Sequence, residues 1–221
     1  MTARIISVDP CEPGLWVEEA AALLRKGGII AYPTETFYGL GVDGTNEAAV
    51  ERIFEVKGRD SNVPVSLIIG DLSALEGLVR SVPEAGRRIA DAFWPGAVTI
   101  VFEAAPDVPE KLTAGTGKIG VRLTSHPVAR AIARQLGRPL TATSANRSGA
   151  GECLTAQEVF AVLGEDLDAV VDGGRTPGPP GSTIVDVTVD PPKVLREGAN
   201  IDGVKSLNLT FEKKERGESE R

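Results

Sequence analysis

At 221 residues with 42% hydrophobic content, the chain can bury one substantial core without disulfides or metals to staple it. Two distant cysteines outside any C-x-x-C spacing, and a single histidine, His126, point away from a disulfide framework, a zinc site and most Ser-His or Cys-His relays. A net charge of −7 argues against broad nonspecific nucleic-acid binding; with no apolar window of about 18 residues and no leader pattern, a soluble cytoplasmic protein is expected.

In chain order, 4–8 (RIISV) reads as a strand, 15–27 as a helix, 29–32 (IIAY) as a strand, 46–58 as a helix and 65–70 (VSLIIG) as a strand. In the second helix Ala49, Ile53 and Val56 form an apolar stripe, and Thr45 or Asn46 can cap its start. This alternation predicts an α/β domain. A helix at 84–94 follows, then strands at 97–103 and 118–123, then a helix introduced by Ser125 as cap and Pro127 near its first position. His126 reads there as a helix-entry residue. A strand through 139–146, a helix at 156–164, a strand at 168–174, a Pro/Gly-rich loop at 175–182 and two strand-like runs, TIVDVTV and KVLRE, come next. Strands now succeed one another, so the sheet is expected to be mixed rather than purely parallel. The terminal FEKKERGESER reads as a frayed charged tail.

Gly39-Leu40-Gly41-Val42-Asp43-Gly44 matches the G-x-G-x-x-G spacing that cradles dinucleotide phosphates. The context does not: Pro33 to Tyr38 separate it from the preceding strand, and the segment about 20 residues on, NVPVSLII, brings no acid to a strand end. These glycines read instead as a packing turn into the next helix. GTGKIG (115–120) is no P-loop either, since Thr113 stands where a glycine is required and Ile119 follows Lys118. Around the rejected fingerprint Thr34, Glu35 and Thr36 remain, a polar set that is either plain turn chemistry or one wall of a site beyond the strand ends.

Four more segments place small or basic polar residues beside an apolar run. They are Lys57-Gly58-Arg59, the pair Lys118 and Arg122 around IGV, Ser144-Ala145-Asn146, and Ser182-Thr183 with Arg196 closing the last strand. Arginine grips a phosphate or carboxylate with two donors, and Ser or Asn in a tight loop adds short-range donors. Five such loops in one acidic chain favour a polyanionic ligand, with catalysis by orientation and charge stabilisation.

Together GGIIAYPTETFYGLGVDGTN, IFEVKGRDSNVPVSLII, FWPGAVTIVF, IGVRLTSHPVARAI, PLTATSANRSG, GSTIVDVT and VLREG, in order from about residue 14 to 198, resemble the YrdC family, the threonylcarbamoyl-AMP synthases. The resemblance implies a single α/β domain over 1–204, with a twisted, mostly parallel mixed sheet and an open, concave basic face, and a charged flexible tail over 205–221. It also implies the short, TsaC-type form. The implied reaction makes threonylcarbamoyl-adenylate and pyrophosphate from L-threonine, bicarbonate and ATP, with Mg2+ accompanying ATP and no tightly bound protein-ligated metal. The implied partner is a threonylcarbamoyl transferase complex acting on tRNA, with RNA contact open and no membrane.

By motif position the resemblance assigns threonine to Thr36, Arg122, Ala142 (through its backbone) and Ser182, with Thr34 as a further candidate. It assigns ATP to Arg59, Lys118, Ser144 and Arg196, and activity to Lys57, Arg59, Ser144 and Asn146. Asp60, Val63, Ile68, Thr143 and Glu152 depart from the family pattern, Ile68 where many members carry a threonine-contacting His and Glu152 where an ATP-contacting Ser is frequent. The alternative is an RNA-binding module of the same fold without synthase activity.

Overall fold

The computed structural model describes residues 2–9, 11–58, 63–207, 209 and 211. Its elements run β1 (Arg4–Ser7), α1 (Pro13–Arg25), β2 (Ile30–Pro33), β3 (Tyr38–Gly41), α2 (Glu47–Lys57), β4 (Ser66–Ile69), α3 (Glu84–Phe93), β5 (Val98–Glu103), α4 (Glu110–Thr113), β6 (Lys118–Leu123), α5 (Pro127–Leu136), β7 (Leu140–Ser144), α6 (Ala156–Leu163), β8 (Ala169–Asp172), β9 (Thr183–Asp186), β10 (Lys193–Arg196) and α7 (Ile201–Ser206). One sheet orders them β1-β8-β2-β3-β7-β4-β6-β5-β9-β10. It is mixed, as the succession of strands predicts. Among the described residues the pairs β1–β8, β2–β8, β4–β6 and β5–β9 are parallel and the remaining five antiparallel.

Period-two alternation sorts the strand residues between two cores. Leu67 and Ile69 face the layer holding α2, α3, α6 and α7, whose Ile53, Ile89, Val159 and Val204 are buried there. Ile68, between them, faces α1 and α5 with Ile30, Leu24, Val128 and Ile132. Both strand faces are buried, which is why these runs read as continuously apolar; each fully buried Ile or Leu contributes about 1.5–3 kcal/mol.

β3 occupies the stretch expected to be a packing turn. It pairs antiparallel with β2, Tyr32 opposite Gly39 and Pro33 opposite Tyr38. The glycines are there for the Tyr32 ring: a Cβ on Gly41 would fall 2.6 Å from its Cε1, and one on Gly39 3.3 Å from its Cζ. The Tyr32 hydroxyl donates to Thr141 O at 2.7 Å. The G-x-G pattern therefore records close packing of an aromatic ring across a hairpin, not a phosphate cradle.

Asn46 Oδ1 accepts from Ala49 N and starts α2, and Gly58, at φ 57, ends it in the left-handed conformation immediately after Lys57. At α5 the N-cap position is His126 rather than Ser125; its side chain makes no capping bond, while Pro127 opens the helix as expected. The expected boundary between residues 204 and 205 falls inside α7, and Leu207, Leu209 and Phe211 still pack on the core. Residues 212–221 of the expected tail lie outside the described residues.

Candidate active site

α1 and α5 pack together and lie over β1, β2 and β4. Beyond them the same sheet face forms a cleft of about 240 Å³. Register builds it. Gly39 stands opposite Ser144, Ser66 opposite Ala142, and Thr99 opposite Ile184, which itself pairs with Arg196. Residues far apart in sequence thereby share one floor, which Arg122 of β6 joins from the middle of the sheet. The β2–β3 turn forms a wall. Thr34 Oγ1 donates to Phe37 O at 2.7 Å, accepts from Thr36 N, and lies 3.1 Å from Thr36 Oγ1, so the two hydroxyls are fixed as a pair.

Thr34, Thr36, Arg122, Ala142, Ser144, Ser182 and Arg196 all line this cleft. Arg122 is 6% exposed and pairs with Glu35 Oε1 at 3.5 Å, and its guanidinium donates no hydrogen bond to any described residue. A buried guanidinium with unused donors calls for an anionic ligand. Arg196, at the exposed end of β10, donates from Nε to Ser182 O at 2.9 Å and from Nη2 to Ser182 Oγ at 2.8 Å. Lost hydration on the cleft side, followed by the Arg122 charge, pushes its guanidinium below the usual arginine value. The two guanidiniums disfavour each other, which an anion between them would relieve.

Lys118 and Lys57 are placed differently. Lys118 lies on the same face as Arg122, four residues along β6 and outside the cleft lining, with Nζ 2.9 Å from Asp186 Oδ2. Burial works against the Asp186 carboxylate, but donors from Thr188 and Lys118 outweigh it and hold its pKa below the ordinary aspartate value. Lys57, 4% exposed, reaches beneath the 144–146 turn and donates to Ser144 O at 2.6 Å, Asn146 O at 2.9 Å and Asn146 Oδ1 at 3.1 Å. Asn146 Oδ1 also accepts from Ser144 Oγ at 2.6 Å, while Asn146 Nδ2 donates to Ala150 O. Lys57, assigned to activity, does not line the cleft: its ammonium is consumed by backbone and amide oxygens, and it clamps the loop that presents Ser144. Asn146 is likewise buried behind the lining. Arg59 lies outside the described residues.

Residues 22–198 match the Sua5/YciO/YrdC family model, which carries the description telomere recombination. The chain belongs to the Sua5/YciO/YrdC family. The threonylcarbamoyl-AMP synthase of Bacillus subtilis is 40% identical over 183 residues, 82% of this chain and 53% of that protein. A putative threonylcarbamoyl-AMP synthase of Mycobacterium tuberculosis is 35% identical over 198 residues, 90% of this chain and 91% of that one. Sua5 of Pyrococcus abyssi, solved with L-threonine, superposes with a TM-score of 0.87 at 33% identity, covering 96% of this chain and 63% of that chain. The chain thus spans about half the length of the Bacillus subtilis relative it matches.

Among the departures from the Sua5/YciO/YrdC pattern, Thr143 and Glu152 line the cleft, and Val63 is exposed. Ile68 is fully buried in the core under α1 and α5 and lies outside the cleft lining. Asp60 lies outside the described residues. Sequence reasoning missed Tyr32, Ser66 and Thr99 in the lining and Glu35 and Asp186 as counter-ions. The signal available for the first three was parity: Ser66 and Thr99 share a face with flagged residues on paired strands, and Tyr32 lies two residues from Thr34. For the two acids no local signal exists, because their partners lie 87 and 68 residues away along the chain.

Proposed function

We propose that this chain is an L-threonylcarbamoyladenylate synthase, a nucleotidyltransferase that makes the adenylate and pyrophosphate from L-threonine, bicarbonate and ATP. The observation that carries the reading is Arg122: a buried guanidinium without a hydrogen-bond acceptor, on the floor of a hydroxyl-lined cleft, in a chain of this family. The threonine carboxylate would pair with Arg122, its hydroxyl and amine with Thr36, Ser182 and the Ala142 backbone. Ser144, Arg196 and Lys118, with Arg59, would hold the triphosphate.

The amine adds to bicarbonate with loss of water and gives a carbamate. A carbamate oxygen then attacks the α-phosphorus, the bond to the β-phosphate oxygen breaks, and pyrophosphate leaves. Both steps gather negative charge, which fixed guanidiniums and ammoniums stabilise without a covalent enzyme intermediate. Among the described cleft-lining residues Glu152 is the one carboxylate; it would help hold the Mg2+ that accompanies ATP, and the bound ion would supply positive charge for the leaving pyrophosphate. The adenylate would pass to a threonylcarbamoyl transferase complex acting on tRNA.

Purified protein is expected to release pyrophosphate only when ATP, threonine and bicarbonate are all present. Release without threonine, or salt-dependent RNA binding with no release at all, would overturn the reading.

A further inference from the structure

Glu35 sits between the two cleft-wall threonines but is absent from the cleft lining. Its side chain is 13% exposed and lies behind Arg122. Oε2 accepts from Thr124 Oγ1 at 2.5 Å. Oε1 is buried, without a hydrogen-bond donor among the described residues, and stands 3.5 Å from Arg122 Nη1. A buried acceptor and a buried donor therefore face each other just beyond hydrogen-bond reach. A carboxylate this enclosed is stable as an anion only with a cation beside it, and the guanidinium in turn has no other carboxylate partner among the described residues. Tyr32 and His126 are the titratable groups that feel the Glu35 charge, and Arg196 feels that of Arg122. The His126 ring carries a buried Nδ1 without a partner, and its backbone N–H donates to Thr124 Oγ1 at 3.1 Å.

The wall that holds Thr34 and Thr36 is also the arm that carries Glu35. The Thr34–Phe37 and Thr36–Thr34 bonds close the turn, and closing it directs the intervening carboxylate beneath Arg122. We infer that Glu35 is a positioning residue that acts through Arg122, holding the guanidinium in the cleft floor so that it meets a carboxylate-bearing substrate. This rests on the synthase reading above. Two electrostatic effects compete. The Glu35 charge repels an incoming carboxylate, but without it a buried, uncompensated guanidinium turns toward water and leaves the floor. The second effect dominates, because Glu35 already shares its charge with Arg122 and Thr124 and lies behind the guanidinium from the ligand's side.

The test is calorimetric binding of L-threonine and of L-threoninol, which lacks the carboxylate, to the whole chain, with ATP affinity and melting temperature measured alongside. Glu35→Gln is expected to weaken threonine roughly 10-fold or more, to narrow the preference for threonine over threoninol by the same factor, and to leave ATP affinity within about twofold. Glu35→Asp should recover part of the loss. In an Arg122→Ala background Glu35→Gln should add little, since the group through which Glu35 acts is already gone. If Glu35→Gln melts too low to assay, Thr124→Val, which removes the bond to Oε2 and keeps the charge, should show a smaller loss with the same selectivity for threonine over threoninol. Equal or tighter threonine binding by Glu35→Gln, or additive losses in the double variant, would overturn the inference while leaving the synthase reading intact. A wild-type protein that binds no threonine would overturn both.

Discussion

Arg122 and Arg196 stand on the same face of one sheet, yet Arg122 is 6% exposed and backed by Glu35, whereas Arg196 sits exposed at the end of β10 with donors on Ser182. Lys118 resembles the second case, its side chain 37% exposed and its ammonium paired with Asp186. The inner end of the cleft thus has a dry, lightly bonded cation among fixed hydroxyls, suited to a small zwitterion whose carboxylate needs a desolvated partner. Arg196 on the lining and Lys118 just beyond it are more exposed cations already leaning on protein oxygens, suited to a larger polyanion that remains partly hydrated. Burial sets the strength of each contact: charge-assisted bonds gain at low dielectric and fade where water screens them.

The largest expected effect comes from the inner end. Arg122→Ala should weaken threonine about 10- to 150-fold, the equivalent of about 1.5–3 kcal/mol, as read from the threonine KM and direct titration. Next is the clamp below the floor. Lys57→Met keeps the stem but leaves Ser144 O and Asn146 O without their donor; urea melts should show a loss of about 1–3 kcal/mol, and kcat should fall as Ser144 loses its support. An unchanged kcat would mean that Lys57 serves folding alone. Just beyond the lining, Lys118→Ala should raise the ATP KM by about 3- to 10-fold and leave the threonine KM alone, a smaller loss because half-exposed pairs are screened.

The smallest effect concerns His126. Burial holds its pKa below 6.5, although the Glu35 charge pulls the other way. Because the folded value is depressed, the unfolded chain takes up the proton first as pH falls below about 6.5. Stability is fully present above that pH and declines toward the folded pKa, with a slope no steeper than about 1.4 kcal/mol per pH unit for one proton. His126 is the chain's only histidine, so one imidazole resonance followed by NMR gives its titration unambiguously, and His126→Gln should flatten the slope.

How much of this was legible beforehand follows from the range of each interaction. Helix α2 announced itself through Asn46, the Ala49–Ile53–Val56 stripe and Gly58, all within one segment. The β-branched runs gave strands within a residue or two of β2, β4 and β6. β3 was hidden because Gly39 and Gly41 carry no strand propensity; what makes them a strand is the Tyr32 ring on the neighbouring chain segment. At the site, side-chain chemistry flagged Thr36, Arg122, Ser144, Ser182 and Arg196, which register then gathered into one cleft. The direction of Lys57 could not be read locally, because its acceptors lie 87 and 89 residues away and only the folded β7 loop brings them over the end of α2.

The division of the cleft is tested most directly by one crossed titration, in which L-threonine and ATP are each bound to Arg122→Ala and Lys118→Ala, with both variants confirmed folded. A crossed pattern is predicted, Arg122→Ala losing threonine with ATP binding near the wild-type value, and Lys118→Ala the reverse. Equal losses of both ligands in both variants would contradict the account.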